Sequence, residues 1–499
     1  MQTKYDVIII GSGLGGGTMA YALSETGARI LLIERGDFLP VEPENWDGEA
    51  VFQDNRYTTI ETWNHHKLKF FYFVGGGSKV YGAALQRLRK EDFGEVIHSE
   101  GVSPAWPITY EELEPYYAKA EELYRVHGAT GFDPTEPPRS KPYPFPAIPH
   151  EPAIQRLEDR LRKQGLSPFP FPEGIDLRAG GKCIRCPTCD GYPCRVSAKG
   201  DSDVCCVRPA LQSGNVDVLT NALVQRLITD ETGKRVVSAE VEKHGERLML
   251  HAGLFIVSCG SINSALLLLR SKCKTHPQGL ANSSGLVGRN LMTHNGGIIF
   301  VLDLWHANRD QFHKTLGVND FYFKSPLWDY PMGNIQLWGK MSPYLVKSFA
   351  PQMPLWKIRA ILSRSFALSA LSEDLPDPEN RVFLDASGDP RLQWKPNNLN
   401  ALDKLMATMK DVLQKARYTK VVAATAYHRE LDTIPQVAHQ LGTACFGKDP
   451  DTSVLNPFCR AHDVENLHVV DGSFFPSSSA TSPGLTIIAQ ALRVAESIK

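Results

Sequence analysis

Residues 4–34 read KYDVIIIGSGLGGGTMAYALSETGARILLIE and decide the fold predicted for this chain. Val7–Ile10 is an uninterrupted β-branched run, which favours a strand buried on both faces of a parallel sheet. A helix of small residues is predicted over Thr18–Glu25, and a second apolar strand over Arg29–Ile33, just before Glu34. Strand, helix and strand in this order predict a βαβ unit of an α/β fold.

Three glycines, Gly11, Gly13 and Gly16, follow the first predicted strand in a G-x-G-x-x-G pattern. The first glycine permits a tight turn, the second lets the backbone approach a pyrophosphate, and the third lets the helix pack close to the strand. Glu34 follows at about the separation expected of an acid that binds ribose hydroxyls. The pattern therefore predicts a dinucleotide site, with the phosphates at the N-terminus of the helix.

The 499 residues are 42% apolar and 22% charged, with a formal net charge of −1, which is typical of a globular protein. Because no basic excess is available to neutralise phosphates, a nucleic-acid partner is not expected. No apolar run approaches the length of a membrane span. Only residues 1–4 precede the first strand, which leaves no room for a cleaved leader, so a cytoplasmic location is expected.

A second glycine-rich segment, VGGGSKVYG, covers residues 74–82. Consecutive glycines allow a loop to pass very close to a flat ligand, and a plain flexible loop is the alternative. The position of the segment downstream of a dinucleotide fold favours ligand contact, with Gly76 and Ser78 as the candidate contacts. The preceding residues 38–73 are predicted to be irregular and are rich in aromatic residues.

Six of the ten cysteines fall within residues 183–206. Thiolates at three-residue spacing can bind one soft metal ion or an iron–sulfur cluster, and a buried thiol-rich loop or a local disulfide is the alternative. The last interval of four residues departs from the bacterial ferredoxin pattern. No metal site is therefore expected, and the candidates for one are Cys183, Cys186, Cys189 and Cys194.

The middle of the chain alternates between helical and extended patterns. Helices are predicted over 110–126, 153–163, 263–269 and 400–417, a strand meander over 216–258, and a hairpin around 387–389. Residues 350–371 are apolar with interspersed basic residues, which favours a domain-packing helix and leaves a lipid-contacting surface helix as the alternative. The domain division predicted from these patterns assigns 1–101, 177–296 and 436–499 to the nucleotide domain, and 102–176 and 297–435 to a substrate lobe.

The C-terminal block returns to the nucleotide domain. A short strand is predicted over Leu467–Val470, and Asp471 at its end is placed to bind a ribityl or phosphate oxygen. The last helix is predicted over Ile487–Ile498, and its free N-terminus can meet an electron-rich ring carbonyl.

Four segments of the chain resemble the glucose–methanol–choline (GMC) family of flavin oxidoreductases. They are the opening fingerprint with its glutamate, the GGGSKVYG loop, the HQLGT segment at 439–443, and VVDGSFFP followed by SPGLTIIAQALRVAE. The cysteine loop and the HQLGTACFG segment look closest to the bacterial branch near pyranose and cholesterol oxidases. The resemblance implies a Rossmann-like FAD-binding domain of the glutathione-reductase type, joined to a discontinuous α+β substrate domain with a large antiparallel sheet.

The resemblance also implies FAD, and not NAD, as the cofactor. The adenosine end of FAD would lie at residues 11–34 and the isoalloxazine under the glycine-rich loop and against the last helix. Asp471, with Gly472, would hold the middle of the cofactor, and the backbone of Val224 would contact its adenine side. Thr486, at the start of the last helix, is a further expected contact.

The family oxidises an alcohol: a base takes the hydroxyl proton while a hydride leaves the carbinol carbon. The resemblance places the catalytic histidine at His439, and an imidazole can accept and return a proton near neutral pH. The second catalytic position, usually His or Asn, is Ser482 here, and Ser reaches less far than Asn. Tyr81 also departs from the Asn or His that is usual in the glycine loop.

The sequence leaves the substrate and the electron acceptor open. The expected partners are a small alcohol or sugar and either oxygen or another acceptor, while the aromatic stretch over 63–73 could stack on a sugar or enclose a sterol. Two further hypotheses are an electron-transfer flavoprotein that carries a cysteine-bound metal or cluster, and a flavin-binding protein that has lost dehydrogenation.

Overall fold

The computed structural model describes residues 4–64, 66–326, 328–425 and 439–499. The α-helices of these residues are α1 (Leu14–Ser24), α2 (Gly48–Phe52), α3 (Tyr110–Leu123), α4 (Pro152–Lys163), α5 (Arg208–Leu211), α6 (Ser261–Arg270), α7 (Pro343–Phe349), α8 (Leu355–Leu362), α9 (Leu399–Lys415) and α10 (Gly484–Ile498).

The strands are β1 (Lys4–Ile10), β2 (Ile30–Ile33), β3 (Thr59–Trp63), β4 (His66–Phe70), β5 (Val96–His98), β6 (Gly101–Ser103), β7 (Val126–Gly128), β8 (Phe145–Pro146), β9 (Phe169–Pro170), β10 (Glu173–Gly174), β11 (Val216–Leu219), β12 (Ala222–Thr229), β13 (Val236–Lys243), β14 (Glu246–Val257), β15 (Asn295–Leu302), β16 (Leu316–Val318), β17 (Asn334–Gly339), β18 (Ser365–Ser372), β19 (Arg381–Leu384), β20 (Pro390–Gln393), β21 (Lys420–Thr425) and β22 (Leu467–Val469).

A parallel sheet forms the centre of the nucleotide-binding half, in the order β11, β2, β1, β14 and β22. Its strands consist mainly of Val, Ile and Leu, and β2 is buried along its whole length. Helices cover this sheet, so its strands can be apolar on both faces, as the opening sequence predicts. Because all five strands are parallel, their carboxyl ends meet at one edge.

Strand β14 belongs to two arrangements at once. Its second half pairs in parallel with β1 and β22, and its first half pairs antiparallel with β13, which pairs with β12. At twelve residues it is long enough to serve both. The predicted meander over 216–258 is confirmed for β12, β13 and β14, which are joined to the nucleotide sheet through this one strand. For residues 216–219 it is wrong, because they form β11, which pairs in parallel with β2.

A second sheet is antiparallel, in the order β21, β15, β18, β17, β16 and β9. Helix α9 packs on it through a stripe of apolar residues that includes Leu402, Leu405, Met409 and Leu413. The large antiparallel sheet implied by the resemblance is thereby confirmed.

Helix α3 packs in the core of the nucleotide-binding half, where Leu113, Tyr117 and Ala120 are buried with residues of α1 and α10. Its N-terminus carries a capping box, in which Thr109 and Glu112 each accept a hydrogen bond from the other residue's backbone N–H. Helix α4 packs instead in the core under the antiparallel sheet. The predicted domain division stays a prediction, and its boundary at 435/436 lies outside the described residues.

Two further segments differ from the elements predicted for them. Residues 59–70, predicted as irregular, form the antiparallel hairpin of β3 and β4. Residues 350–371, predicted as one helix, contain α8 and then β18, which lies inside the second sheet. The apolar run of β18 is explained by burial between two strands, and α8 packs through Ile358 and Leu362. In the described residues, no helix is long and apolar enough to cross a membrane.

Candidate active site

The glycine turn between β1 and α1 has the geometry that its spacing predicts. Gly11 has a φ of +94°, a conformation that only glycine adopts without strain. A Cβ added at Gly16 would lie 1.9 Å from the Gly11 carbonyl oxygen, so helix and turn are in direct backbone contact. A Cβ at Gly13 would meet nothing within 4 Å, so the backbone at Gly13 borders open space.

Glu34 lies just after β2, with its carboxylate buried beside the glycine turn. Its Oε2 atom accepts hydrogen bonds from the Ser12 backbone N–H at 3.1 Å and the Ser12 hydroxyl at 2.5 Å. Its Oε1 atom accepts from the Gly36 N–H at 3.0 Å. Burial raises the pKa of this carboxyl above its ordinary value, and the hydrogen bonds oppose that shift. A carboxylate oxygen can accept two bonds, so Oε1 can still accept one from a ribose hydroxyl.

The glycine-rich loop lies directly over the glycine turn. A Cβ added at Gly76, whose φ is +55°, would lie 3.2 Å from the Cα atom of Gly13. The Ser78 hydroxyl donates to the Gly75 carbonyl at 2.6 Å and accepts from the Ser202 N–H at 3.0 Å, so it holds the loop in shape. The two glycine segments, 63 residues apart in the chain, therefore form one surface.

Lys79 fastens this loop to the segment that follows the cysteines. Its ammonium group lies 3.1 Å from a carboxylate oxygen of Asp201 and 3.0 Å from one of Asp203, and all three side chains are buried. Arg208 contacts Asp203 from the other side at 3.0 Å. A buried ion cluster of this kind costs much free energy if one partner is removed, so it fixes the loop.

Asp471 follows β22 at the same edge of the sheet. Its Oδ2 atom accepts from the Gly260 N–H at 2.9 Å and the Ser264 hydroxyl at 2.5 Å, and its Oδ1 atom accepts from the backbone and side chain of Ser473. Burial raises the pKa of this carboxyl. The chain itself thus supplies four donors to this carboxylate, which orders the turns at Gly260 and Gly472 beside the edge.

The segment that begins at His439 packs against this edge of the sheet. The carbonyl of Gln440 accepts from the Ser261 hydroxyl at 2.7 Å, and a Cβ added at Gly472 would lie 2.6 Å from that carbonyl. The Gly442 N–H donates to the Gly472 carbonyl at 3.0 Å. Close backbone contact on both sides therefore places the predicted base next to the turn after β22.

A second histidine, His294, lies opposite His439. Met292 and Leu441 exchange backbone hydrogen bonds as an antiparallel bridge, and the same register places residue 294 across from residue 439. Their Nδ1 atoms are 2.8 Å apart and their rings meet edge to face at 4.9 Å. Burial lowers the pKa of His294 to about 4. Burial, His294 and Lys314 together lower the pKa of His439 well below its ordinary value.

Lys314, Asp190 and Glu173 form a cluster that is linked to His439 through Lys314. Lys314 contributes to the field at His439, and its ammonium group contacts Asp190 at 2.5 Å. Glu173 is electrostatically coupled to both Lys314 and Asp190, and burial raises its pKa well above the ordinary value. Within the described part of the chain, neither carboxylate oxygen of Glu173 has a hydrogen-bond partner. A buried carboxylate without partners is costly unless a ligand or water satisfies it.

Ser482 and Thr486 lie at the start of α10, and both are buried. The Ser482 hydroxyl is 3.4 Å from the Gln336 amide nitrogen, which is a long contact for a hydrogen bond. The Thr486 hydroxyl is 2.8 Å from the Tyr117 hydroxyl of α3. Tyr81 donates its hydroxyl to the carbonyl of Gly200, so this substituted position of the glycine loop serves a structural contact.

Val224 lies in β12 and is buried. The pairing with β13 shifts register between Val224 and Arg226, which forms a bulge at this point. A bulge leaves backbone groups outside the regular ladder, so the expected backbone contact at Val224 is compatible with the strand.

The cysteine loop holds free thiols at Cys183, Cys186, Cys189 and Cys194. Burial raises the pKa of the Cys183 thiol to about 11 and that of Cys189 well above its ordinary value, which opposes formation of the thiolates that bind metals. Among the residues that the structure describes, no group of three or more His, Cys, Asp or Glu side chains could hold a metal ion. Nothing in this geometry favours the hypothesis of a cysteine-bound metal or cluster.

The sequence predicted His439 but gave no role to His294, Lys314 or Glu173. His294 stands in the segment GRNLMTHN, and its pairing with the HQLGT segment spans 145 residues. No local periodicity links the two segments, because the bridge between Met292 and Leu441 is a tertiary contact. The sequence around Glu173 likewise gives no sign that this polar residue is buried.

A parallel sheet with a glycine turn, a buried acid and a buried histidine pair at one edge is the arrangement typical of a dinucleotide-dependent oxidoreductase. The chain belongs to the GMC oxidoreductase family, whose N-terminal model matches residues 5–295 and whose C-terminal model matches residues 376–491. It is therefore an FAD-dependent enzyme that oxidises the CH–OH group of a small molecule.

Paromamine 6'-oxidase of Streptomyces fradiae is 31% identical, over 99% of this chain and 91% of that protein. Fructose dehydrogenase large subunit of Gluconobacter japonicus is 26% identical, over 99% and 97%. Cholesterol oxidase of Mycobacterium tuberculosis is 23% identical, over 99% and 91%, so the placement in a bacterial branch is confirmed. A solved structure of pyridoxine 4-oxidase from Mesorbium loti shares the fold, with a TM-score of 0.67, 18% identity and coverage of 99% and 98%.

The residues of the edge fit FAD. The open space at Gly13 lets a phosphate group approach the N–H groups at the start of α1, where the helix dipole favours negative charge. The free capacity of Glu34 Oε1 suits a ribose hydroxyl. Gly76 above Gly13 leaves the two backbones close together, with no side chain between them.

Proposed function

We propose that this enzyme oxidises a hydroxyl group of a polar, sugar-like molecule, with His439 as the base that takes the hydroxyl proton. The observation that carries the proposal is the contact of the His439 segment with the turn at Gly472, which sets a neutral imidazole beside the cofactor edge. Bound FAD supplies the acceptor for the hydride that leaves the carbinol carbon. The chain's own residues must then remove the proton and hold the carbon in line.

A low pKa keeps the His439 imidazole neutral at physiological pH, so it has a lone pair ready for a proton. The same low pKa limits the driving force for proton transfer from an alcohol. Positioning of the substrate therefore accounts for much of the rate enhancement, since the carbinol carbon must lie about 3–3.5 Å from the hydride acceptor. His439 fixes the hydroxyl end of the substrate, and the opposite end contacts other groups.

Those other groups indicate a polar substrate. Lys314 and Asp190 form an ion pair close to the buried Glu173, and Lys314 contributes to the electrostatic field at His439. An apolar molecule such as a sterol would leave the carboxylate oxygens of Glu173 without hydrogen-bond partners, at a cost of about 1–3 kcal/mol. A molecule with several hydroxyl or amino groups would instead satisfy them. The similarity to paromamine 6'-oxidase and fructose dehydrogenase supports the same choice.

Ser482 acts, in this proposal, as a minor second contact to the substrate hydroxyl. Its hydroxyl has only a long contact with Gln336 and can rotate toward a ligand. The Gln336 amide, on the central strand β17, can supply a further donor from the antiparallel sheet. Together these two side chains take the place of the His or Asn that the family carries.

The FAD contacts proposed for this chain are those of the edge and the loop above it. They are Gly11, Gly13, Gly16, Glu34, Gly76, Ser78, Val224, Asp471, Gly472 and Thr486. Of these, Gly13 and Glu34 have space or hydrogen-bonding capacity for the cofactor, whereas Asp471 and Ser78 act by shaping the backbone that meets it. The acceptor of the electrons, oxygen or another molecule, and the cytoplasmic location stay predictions from the sequence.

Anaerobic mixing of the purified yellow protein with a panel of polyols, sugars, amino sugars and sterols tests the proposal. Loss of the flavin absorbance with a polyol, sugar or amino sugar, and not with a sterol, is the expected result. The visible spectrum before mixing tests the electron-transfer alternative, because an iron–sulfur cluster adds broad absorption that flavin lacks. Bleaching by sterols alone, or by no alcohol in a broad panel, would contradict the proposal.

A further inference from the structure

The hydrogen bonds of His294 determine which of its nitrogens carries hydrogen. Its Nε2 atom lies 3.2 Å from the carbonyl oxygen of Ser478. A carbonyl oxygen only accepts, so Nε2 must be the donor and must carry a hydrogen. A hydrogen bond with the backbone of Ser479 raises the pKa of His294, so it also favours hydrogen on this ring. This end of His294 is anchored to the segment that leads to Ser482.

The other nitrogen of His294 must then be an acceptor. The ring is fully buried and its pKa is lowered to about 4, so it is neutral at physiological pH and carries one ring hydrogen. With that hydrogen on Nε2, the lone pair is on Nδ1. The Nδ1 atom of His439 lies 2.8 Å away, a distance that requires a hydrogen between the two nitrogens. His439 is therefore the donor of this bond.

We propose that His294 is a positioning residue that holds His439 in the tautomer with hydrogen on Nδ1, so that Nε2 of His439 is the atom that accepts the substrate's hydroxyl proton. The inference rests on the proposed role of His439 as the base and deepens it. Two hydrogen bonds, from the Ser478 carbonyl to His294 and from His294 to His439, set the protonation of the base from a fixed point of the backbone.

The proton and electron balance of the step is simple. The O–H bond of the substrate breaks and its proton joins Nε2 of His439, while the hydride leaves the carbinol carbon for the bound FAD. His439 becomes an imidazolium, and its Nδ1–H then donates a charge-assisted hydrogen bond to the neutral Nδ1 of His294. His294 thus stabilises the charge that develops on the base without changing its own protonation.

Backbone contacts set the relative position of the two histidines. The bridge between Met292 and Leu441 sets the register of the two histidines, and Thr443 donates to the carbonyls of Arg289 and Ser261 on either side of it. Residues that face each other in an antiparallel pair hold their Cβ atoms at about 4.5–5.5 Å. The bridge next to the two histidines therefore favours the 2.8 Å distance between their Nδ1 atoms.

Nitrogen NMR of the holoenzyme labelled with ring-¹⁵N histidine tests the tautomer directly. The His439 signals are assigned by their loss in His439→Gln. The expected spectrum shows hydrogen on Nδ1 and a lone pair on Nε2 of His439, and the reverse at His294. The opposite tautomer at His439 would overturn the inference. This measurement needs no substrate, so it stands even if the proposed reaction or the role of His439 fails.

Two variants of similar size separate positioning from packing. His294→Gln keeps an acceptor and a donor, whereas His294→Leu keeps neither. We expect anaerobic flavin reduction to slow by about 10²-fold or more in His294→Leu and by less than about tenfold in His294→Gln, since a general base contributes about 10²–10⁴-fold. The His439 spectrum should lose its single tautomer only in His294→Leu. Equal rates in the two variants, with the His439 tautomer unchanged in both, would overturn the inference.

Discussion

The cofactor edge and the histidine pair lie side by side but are built in different ways. At the edge, the glycine turn and Glu34 come from one continuous stretch of 31 residues, and backbone groups form most of the surface. At the pair, His294 and His439 come from segments 145 residues apart, and side-chain nitrogens form the contact. The difference teaches that the glycine turn and its acid are a local property of the sequence, whereas the histidine pair is a property of the assembled tertiary structure.

The comparison predicts that the base can be removed without loss of the cofactor. His439→Ala should leave FAD bound while anaerobic reduction by the true substrate slows by about 10²–10⁴-fold, the contribution of a general base. Stopped-flow absorbance measures the reduction and the flavin-to-protein ratio measures the binding. His306→Ala, at a partly exposed histidine outside the site, is the matched control and should react normally. An unchanged rate in His439→Ala would place the base elsewhere.

Alanine substitutions at Gly16 and at Gly13 should impair different properties of the protein. Gly16→Ala places a Cβ 1.9 Å from the Gly11 carbonyl, so the apoprotein itself should be destabilised, by a few kcal/mol as overpacking generally costs. Gly13→Ala meets open space, so the apoprotein should keep its melting temperature while its affinity for FAD falls.

Thermal unfolding of the apoproteins and flavin titration measure the two effects separately. Equal loss of apoprotein stability in both variants would show that Gly13 also serves packing. Undiminished FAD affinity in Gly13→Ala would show that the open space at this position does not face the cofactor.

Most of the cofactor edge could be predicted from sequence because its signals are local. The glycine spacing, the β-branched strands and Glu34 each lie within a few residues of the structure that they determine. The register of Met292 with Leu441 could not be predicted, because nothing in either segment identifies the other. The apolar run of β18 misled the prediction for a related reason: a strand buried between two neighbours has no alternating pattern to separate it from a helix.

Glu173 should lower the stability of the folded protein at neutral pH. Its raised pKa means that the folded state disfavours the ionised carboxyl, so this group lowers stability increasingly as pH rises above about 4.3, its unfolded value. Glu173→Gln should therefore be more stable than the wild type at pH 7, and the gain should vanish near pH 4.

Denaturant unfolding of the apoprotein at the two pH values measures this difference. Asp190→Asn offers a contrast of opposite sign, since it removes the partner of Lys314 and should destabilise the protein at pH 7. A Glu173→Gln variant that is less stable at pH 7 would show that the carboxylate has a partner in the folded protein.

The smallest effect is expected at Ser482. Because its only described hydrogen-bond contact is the long one to Gln336, Ser482→Ala should slow flavin reduction by less than about tenfold, the order expected for one weak neutral hydrogen bond. Stopped-flow reduction measures the change, with Ser497→Ala at the exposed end of α10 as the control. A loss as large as that of His439→Ala would make Ser482 a full catalytic partner and would contradict the asymmetry between the two positions.

The insertion of β22 beside β14 has a consequence for how the chain folds. Next to this insertion the Ser258 hydroxyl donates a hydrogen bond to the Val470 carbonyl, and the two residues are 212 residues apart in the chain. Closing such long loops precedes any gain from the contacts, so pairings of this kind form late and slowly. The β1–α1–β2 unit can condense early from neighbouring residues, whereas competence for chemistry has to await the return of a distant part of the polypeptide. Maturation of the enzyme is thus expected to be stepwise in time, and both the complete cofactor edge and the histidine pair await the C-terminal segment.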